Sequence, residues 1–276
     1  MDNIEKKSFQ PLPGQTILNP FPASFTIPQN WQVGRQIREN ASLVSYTEAG
    51  LIIVNAGIFI NIESIYRALS NIFTEMKCTG KAVQGPRSVS IGRLEGTMAD
   101  YYGSDEEGTP LAAHFCSVFS SKGLCMGAFG MTSPEKIYYL ASRVDEITHS
   151  FHFGEFIPDY KAMASLAGQW SLYKGSSSGS QSSSYGGTSM SRFSSYIFNQ
   201  DGTFNYSFES SISATSYLSG MGNQTSGFSS SSDSDQGSFF VAHGVIILVS
   251  QKYGSRTLDA HMEGKFLHIG NSVYAR

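Results

Sequence analysis

The stretch Tyr196-Ile197-Phe198-Asn199-Gln200-Asp201-Gly202-Thr203-Phe204-Asn205-Tyr206 is the strongest local signal in the chain. It predicts a β-hairpin with aromatic residues on both arms. Gly202 supplies the turn, since glycine takes a positive φ without a Cβ penalty. A two-residue Asp201-Gly202 turn sets Phe198 opposite Asn205, an apolar residue facing a polar one. A three-residue loop over 200–202, with Gly202 at a bulge, sets Phe198 opposite Phe204 and Tyr196 opposite Tyr206. The second register puts four rings on one face, and cross-strand aromatic pairs stabilise by roughly 0.2–1 kcal/mol each. It is the register expected.

The hairpin has similar neighbours. Trp170 and Leu172 alternate on a strand that opens with Gly168. Strands at 239–242 and 245–250 flank His243-Gly244, a type I′ turn pair that sets Val241 opposite Ile246 and Phe239 opposite Leu248. Residues 256–262 and 265–269 pair through Glu263-Gly264, and a turn at 270–272 leads into Val273-Tyr274-Ala275-Arg276. At least seven short antiparallel strands are expected here, with no helix. Closure into a small barrel is the natural way to remove their edges. The stretch 175–191 is almost all Ser, Gly, Gln and Thr, and a second polar, serine-rich stretch runs over 220–238, with Ser229 to Ser232 uninterrupted. They are read as loops, because they hold too little apolar surface to offset the entropy of ordering.

The first half is patterned differently. Residues 1–21 are polar with scattered prolines and read as an extended arm. Ile62, Ile65, Tyr66, Leu69, Ile72, Phe73 and Met76 recur at spacings of three and four, the stripe of an amphipathic helix. Strand-like segments follow over 89–131. A second helix begins near Thr132-Ser133-Pro134-Glu135, with Thr132 and Glu135 at capping-box spacing. Its buried face is assigned to Ile137, Tyr138, Leu140, Ala141, Val144 and Ile147. An antiparallel sheet with two helices is α+β. Residues 22–157 therefore form an α+β domain, 158–164 a linker, and 165–276 an all-β barrel.

Phe25, Ile27, Pro28, Trp31, Gly92, Leu94, Gly96, Ser150, Phe151 and Phe153 together resemble the PsbP/DcrB-like superfamily over roughly 22–155. The resemblance implies an α/β/α sandwich and a mainly non-catalytic role, as accessory subunit, envelope protein or chaperone-adaptor. Leu166, Gly168 and Trp170, the hairpin, and the close Leu267, Ile269, Asn271, Tyr274, Arg276 resemble a bacterial lipocalin-like (calycin) barrel. That likeness implies that Trp170 and Arg276 pack together at the closed end. Tyr196, Phe198, Phe204, Tyr206, Phe239 and Val241 are the lumen residues. Their rings either fill a solid core or line a cavity for an apolar ligand.

Composition narrows the function. The 276 residues carry a net charge of −3 and only 15% charged side chains, with no Lys/Arg run, so no nucleic-acid partner is expected. The longest apolar run, 50–62, is too short for a membrane span of about 20 residues. The N-terminus lacks the apolar core of a signal peptide, so a cytoplasmic site is expected, and a leaderless export route leaves no mark in sequence. Cys78, Cys116 and Cys125 fit no zinc spacing and read as reduced thiols. No nucleophile elbow, phosphate loop or HExxH occurs. His149 with His152 as a metal pair, His114 with Cys116 as a thiol site, Asp259 with His261, and the acidic run Asp105-Glu106-Glu107 as a cation loop each lack the remaining groups their chemistry needs. No catalytic residue, metal or cofactor is assigned. The expectation is a non-enzymatic binding protein, a protein-binding adaptor or chaperone of bacterial type. Binding of a small apolar ligand in the barrel is the first alternative, and a hydrolase or thiol enzyme using Cys116 the second.

Overall fold

The computed structural model describes residues 9–58, 60–83, 86–121, 123–178, 188–217 and 224–276. Contacts divide the chain into two compact units, Met1–Ile157 with Tyr253–Ser255, and Pro158–Lys252 with Arg256–Arg276. Among the described residues, no helix is long and apolar enough to cross a membrane.

The first unit contains β1 (Gln15–Ile17), β2 (Ala23–Thr26), β3 (Trp31–Ile37), β4 (Asn40–Ser45), β5 (Leu51–Ile58), α1 (Ile62–Glu75), β6 (Thr79–Ala82), β7 (Arg87–Ile91), β8 (Leu94–Ser104), β9 (Pro110–Phe119), β10 (Leu124–Thr132), α2 (Ile137–His149) and β11 (His152–Phe153). The main antiparallel sheet runs β3-β4-β5-β10-β9-β8-β6, with β7 also pairing β8, and a small sheet runs β1-β2-β11. Strand β9 explains the layering. Its side chains alternate faces, yet it is buried almost throughout. Ala113 and Phe115 pack under Ile65 and Leu69 of α1, on one face. His114 on the other face reaches Asp145 of α2. A sheet covered by one helix on each side is the expected α+β sandwich.

Two expectations change. The arm over 1–21 is not free where it is described: β1 pairs with β2, and Leu18 and Phe21 are buried in the core. The expected capping box does not form: Ser133 leads a short 3-10 turn (Pro134–Lys136) with its hydroxyl donating to Glu135 and no side-chain cap bond, Lys136 precedes α2, and Thr132 ends β10 and donates to the Ala49 carbonyl at 3.3 Å.

The second unit begins with a helix where a linker was expected over 158–164. In α3 (Tyr160–Leu166), Asp159 caps the first turn by accepting from the Ala162 amide at 3.0 Å. The Asp159 amide donates to the Val241 carbonyl at 2.7 Å, and Leu166 is buried in the barrel core. The helix is held by what it docks on, since seven residues are too few to be stable alone.

The strands β12 (Gly168–Ser178), β13 (Thr188–Phe198), β14 (Thr203–Tyr217), β15 (Gln224–Ala242), β16 (Val245–Ser250), β17 (Gly254–Glu263), β18 (Phe266–Ile269) and β19 (Ser272–Ala275) close in that order into an eight-stranded antiparallel barrel. Glu263 faces Phe266, so the turn there is Gly264-Lys265, one residue later than expected. The larger correction concerns the two serine-rich loops. Residues 175–178, 188–191 and 224–238 are strand, while 179–187 and 218–223 lie outside the described residues. Apolar burial is not what orders them. The backbone ladder continues outward from the aromatic hairpin, and hydroxyls pair across it: Ser189 with Ser213 at 2.6 Å, Ser191 with Ser211 at 2.6 Å, Ser195 with Ser207 at 2.8 Å and Ser210 with Ser231 at 2.7 Å.

Candidate functional site

The lumen of the barrel is built from alternate residues of the hairpin. Phe198 pairs with Phe204 and Tyr196 with Tyr206. Gly202 has φ 83, and the Asn199 amide donates to the Thr203 carbonyl at 2.8 Å, as the bulged three-residue loop requires. Phe239 and Val241 face Leu248 and Ile246 around His243, whose φ is 50. The rings touch one another. Centroids lie 4.7 Å apart for Tyr196–Tyr206, 4.8 Å for Phe198–Phe239, 5.4 Å for Tyr196–Tyr274 and 5.7 Å for Tyr196–Phe198.

Trp170, fully buried, closes one end. Its indole N–H donates to the Leu166 carbonyl at 2.8 Å, and the Arg276 guanidinium carbon stands 5.0 Å from its ring centre. Arg276 also donates to the Ala167 carbonyl. Gly168, at φ 138, lets this happen, because a Cβ there would meet the Arg276 Nη2 at 2.8 Å. A cleft of about 150 Å³ lies at the α3 end, bordered by Ala162, Leu166, Ile246, Ala260 and Leu267. Ligand pockets usually measure about 300–1,000 Å³.

Above the apolar rings the lumen turns polar. Asp235 is buried and accepts from the Arg256 guanidinium, and Ser194 donates to the Tyr274 hydroxyl at 3.2 Å. Burial, with Tyr274 and Tyr206 beside it, holds the Tyr196 hydroxyl far above the ordinary phenol range.

In the first unit the candidate thiol site has its own partners. His114 is buried between two carboxylates, with Nδ1 2.6 Å from Asp100 Oδ1 and Nε2 3.3 Å from Asp145 Oδ1. Asp100 also accepts from Arg87 at 2.9 Å. Burial pulls the imidazole pKa down, but the hydrogen bonds to Asp145 and Asp100 outweigh it and the net shift is upward. Both ring nitrogens face carboxylates, so neither is directed at Cys116. Burial pushes the Cys116 thiol up to about 11 and the Cys125 thiol up to about 12. A thiol so far above neutrality is a poor nucleophile.

The remaining candidates are likewise engaged. His149 Nδ1 lies 2.7 Å from the Asp145 carbonyl, and His152 stacks on Phe9. His261 stacks on His268, its cross-strand partner. Asp105 closes its own loop by accepting from the Glu107 and Thr109 amides, and Glu106 pairs with Lys77 at 3.1 Å. Among the described residues, no group of three His, Cys, Asp or Glu side chains is arranged to hold a metal.

One feature escaped the sequence reading. A cleft of about 400 Å³ on the first unit is lined by Thr47, Glu48, Lys136, Tyr139, Leu140 and Arg143. Arg143 grips Glu48 with two hydrogen bonds of 3.0 Å, and Trp31 donates to the same carboxylate at 3.0 Å. The Arg143 hydrogen bond holds the Glu48 carboxyl below its usual range, against the opposing effect of burial. Tyr139, which lines the cleft, is 73% exposed, and Tyr138 and Tyr46 are 83% and 89% exposed. Tyr138 was expected on the buried face. Leu140, Val144 and Ile147 define that face, and Tyr138 lies two residues from Leu140. At about 100° per residue that is about 200° away, on the opposite side. The wheel angle was the signal available.

No protein-family model matches the chain, and no curated protein matches it. Solved structures match over the N-terminal half, among them the following two. The solution structure of cyanobacterial PsbP (CyanoP) from Synechocystis sp. PCC 6803 aligns with 48% of this chain and 86% of its own, at 10% identity and a TM-score of 0.37. LpqN, described as involved in cell envelope biogenesis of Mycobacterium tuberculosis, aligns with 48% of this chain and 84% of its own, at 12% identity and a TM-score of 0.35. The closed eight-stranded antiparallel order of the second unit fits a lipocalin-like barrel.

Proposed function

We propose that this chain is a non-enzymatic binding protein, a protein-binding adaptor whose docking surface is the cleft lined by Tyr139, Glu48 and Arg143. The single observation that carries the reading is the exposure of Tyr139 on a cleft with a fixed ionic floor; the exposed Tyr138 ring meets it edge-on, and the exposed Tyr46 precedes the cleft residue Thr47 in sequence. Tyrosine and arginine are the residues most enriched at energetic centres of protein interfaces, because a rigid amphipathic ring contributes contact area at little entropic cost. The ring-to-ring packing of the barrel favours a structural role for Tyr196, Phe198, Phe204, Phe239 and Val241 over a ligand cavity. The raised Cys116 thiol weighs against a thiol enzyme. The test is native cross-linking capture by the full-length protein and by a Tyr46→Ala, Tyr138→Ala, Tyr139→Ala triple variant. One or more specific proteins are expected to be lost from the variant, with its melting temperature unchanged. Equal capture by both proteins overturns the assignment.

A further inference from the structure

Strand β15 spans Gln224–Ala242, but β16 pairs with it only over Gly237–Ala242. On its other side β14 pairs with it in unbroken register from Thr203↔Ser238 to Tyr217↔Gln224. Residues 228–232, Phe-Ser-Ser-Ser-Ser, are all exposed. Among the described residues, their only strand partner is β14. The sheet they border is open on both faces: Phe228 is 73% and Ile212 42% exposed.

Exposed sheet edges are templates for pairing, and chains normally blunt them with short strands, bulges, prolines or charges. The first unit does this. Its edge strand β3 has a register shift between Val33 and Arg35, and the Gln36 side chain donates to the Ile17 carbonyl beside it. The opposite edge, β6, is four residues long. Residues 228–232 have no proline, no charged side chain and no bulge. The contrast within one molecule marks this edge as one left open.

We infer that the β15 edge over residues 228–232 pairs with the same edge of a second copy of this chain, antiparallel about a two-fold axis perpendicular to the sheet. Such an axis keeps each face on its own side, so residues of equal parity oppose one another. With the axis at Ser230, Ser229 faces Ser231 of the second copy and Ser230 faces its counterpart. With the axis at Ser231, Ser230 faces Ser232. Both arrangements repeat a contact that recurs four times among the described residues, a serine hydroxyl bonded to a serine hydroxyl across adjacent strands. The edge is thus complementary to itself in side chains as well as in backbone, which is what an isologous interface demands. An unrelated strand would match only the backbone.

Sedimentation equilibrium of the full chain tests this. The wild type is expected to be a concentration-dependent dimer. A Ser230→Lys, Ser232→Lys variant brings like charges together about the axis and is expected to raise the dimer dissociation constant at least tenfold. Ser207→Lys, on β14 away from the edge, is expected to leave it unchanged. Proline separates pairing from folding. Successive strand residues direct their N–H groups to opposite neighbours, so of Ser230→Pro and Ser231→Pro one variant keeps the β14 ladder and its melting temperature. That variant is expected to be a monomer. A wild type that stays monomeric at the highest concentration reached overturns the proposal. So does a dimer indifferent to the lysine pair, or open-ended growth without a dimer plateau.

Discussion

The two ends of the β13–β14 hairpin share strands and one continuous ladder, yet they are held together differently. At one end Phe198, Phe204, Tyr196 and Tyr206 sit in a closed barrel core with Trp170 beneath them. At the other, Ser189, Ser191, Ser211 and Ser213, exposed or half-buried, face each other through hydroxyl pairs. The aromatic end sets the register through burial, because a slip by one residue would turn every ring to the outside. The serine end inherits that register along the backbone. Order along a strand therefore need not mean that each of its segments is stabilised by its own side chains.

Truncating a ring should give the largest effect. Phe198→Ala empties a position 1% exposed in the barrel core, and such cavities cost about 3–5 kcal/mol. Urea unfolding followed by tryptophan fluorescence reads it, and a loss below about 1 kcal/mol would mean that the rings are loosely packed.

An intermediate case lies in the first unit, where His114 is buried like a ring but polar like a serine. Its pKa is raised in the fold, since the hydrogen bonds to Asp145 and Asp100 outweigh burial. The folded protein therefore binds the proton more tightly than the unfolded chain does. The resulting stability is fully present below the unfolded histidine value of about 6.5 and is lost as pH rises through the folded value. Asp100, Asp145 and, through Asp100, Arg87 are the charges that face it. Denaturation of wild type and His114→Gln across this range should show a stability difference that narrows with rising pH. A difference that is flat with pH would show that the imidazole is neutral in the fold.

The smallest effect belongs to the serine end. Ser191→Ala removes one half-exposed hydroxyl pair, and stability should change by no more than about 0.5 kcal/mol. A cost approaching that of the ring truncation would erase the distinction between the two ends.

Much of the architecture was legible locally. The ring-matching rule selected the observed hairpin register, the stripe from Ile62 to Met76 marked α1 although Ile62 itself is exposed, and His243-Gly244 marked a turn with apolar partners on both sides. The misreadings share a cause. Helix α3 is too short to show a period. The serine strands have no apolar pattern to show. Leu18 and Phe21 look like parts of a proline-rich arm until a sheet closes over them. The site was less legible than the fold. His114 meets Asp100 and Asp145 across separations of 14 and 31 residues, and Glu48 meets Arg143 across 95, so no local spacing announces either cluster.

The pairing of Trp170 with Arg276 at the barrel's end was implied by the resemblance to a lipocalin-like barrel; by itself, the sequence determined the fold class, the aromatic hairpin and its register. These follow from alternation, turn chemistry and the tendency of apolar faces to meet, all of which act over a few residues. Only the tertiary structure decided that the rings pack against one another, that the serine-rich segments extend as strands with an open edge, and that Tyr138 faces outward. Those outcomes depend on which distant elements cover a given face, and a chain with the same local pattern can cover it in more than one way.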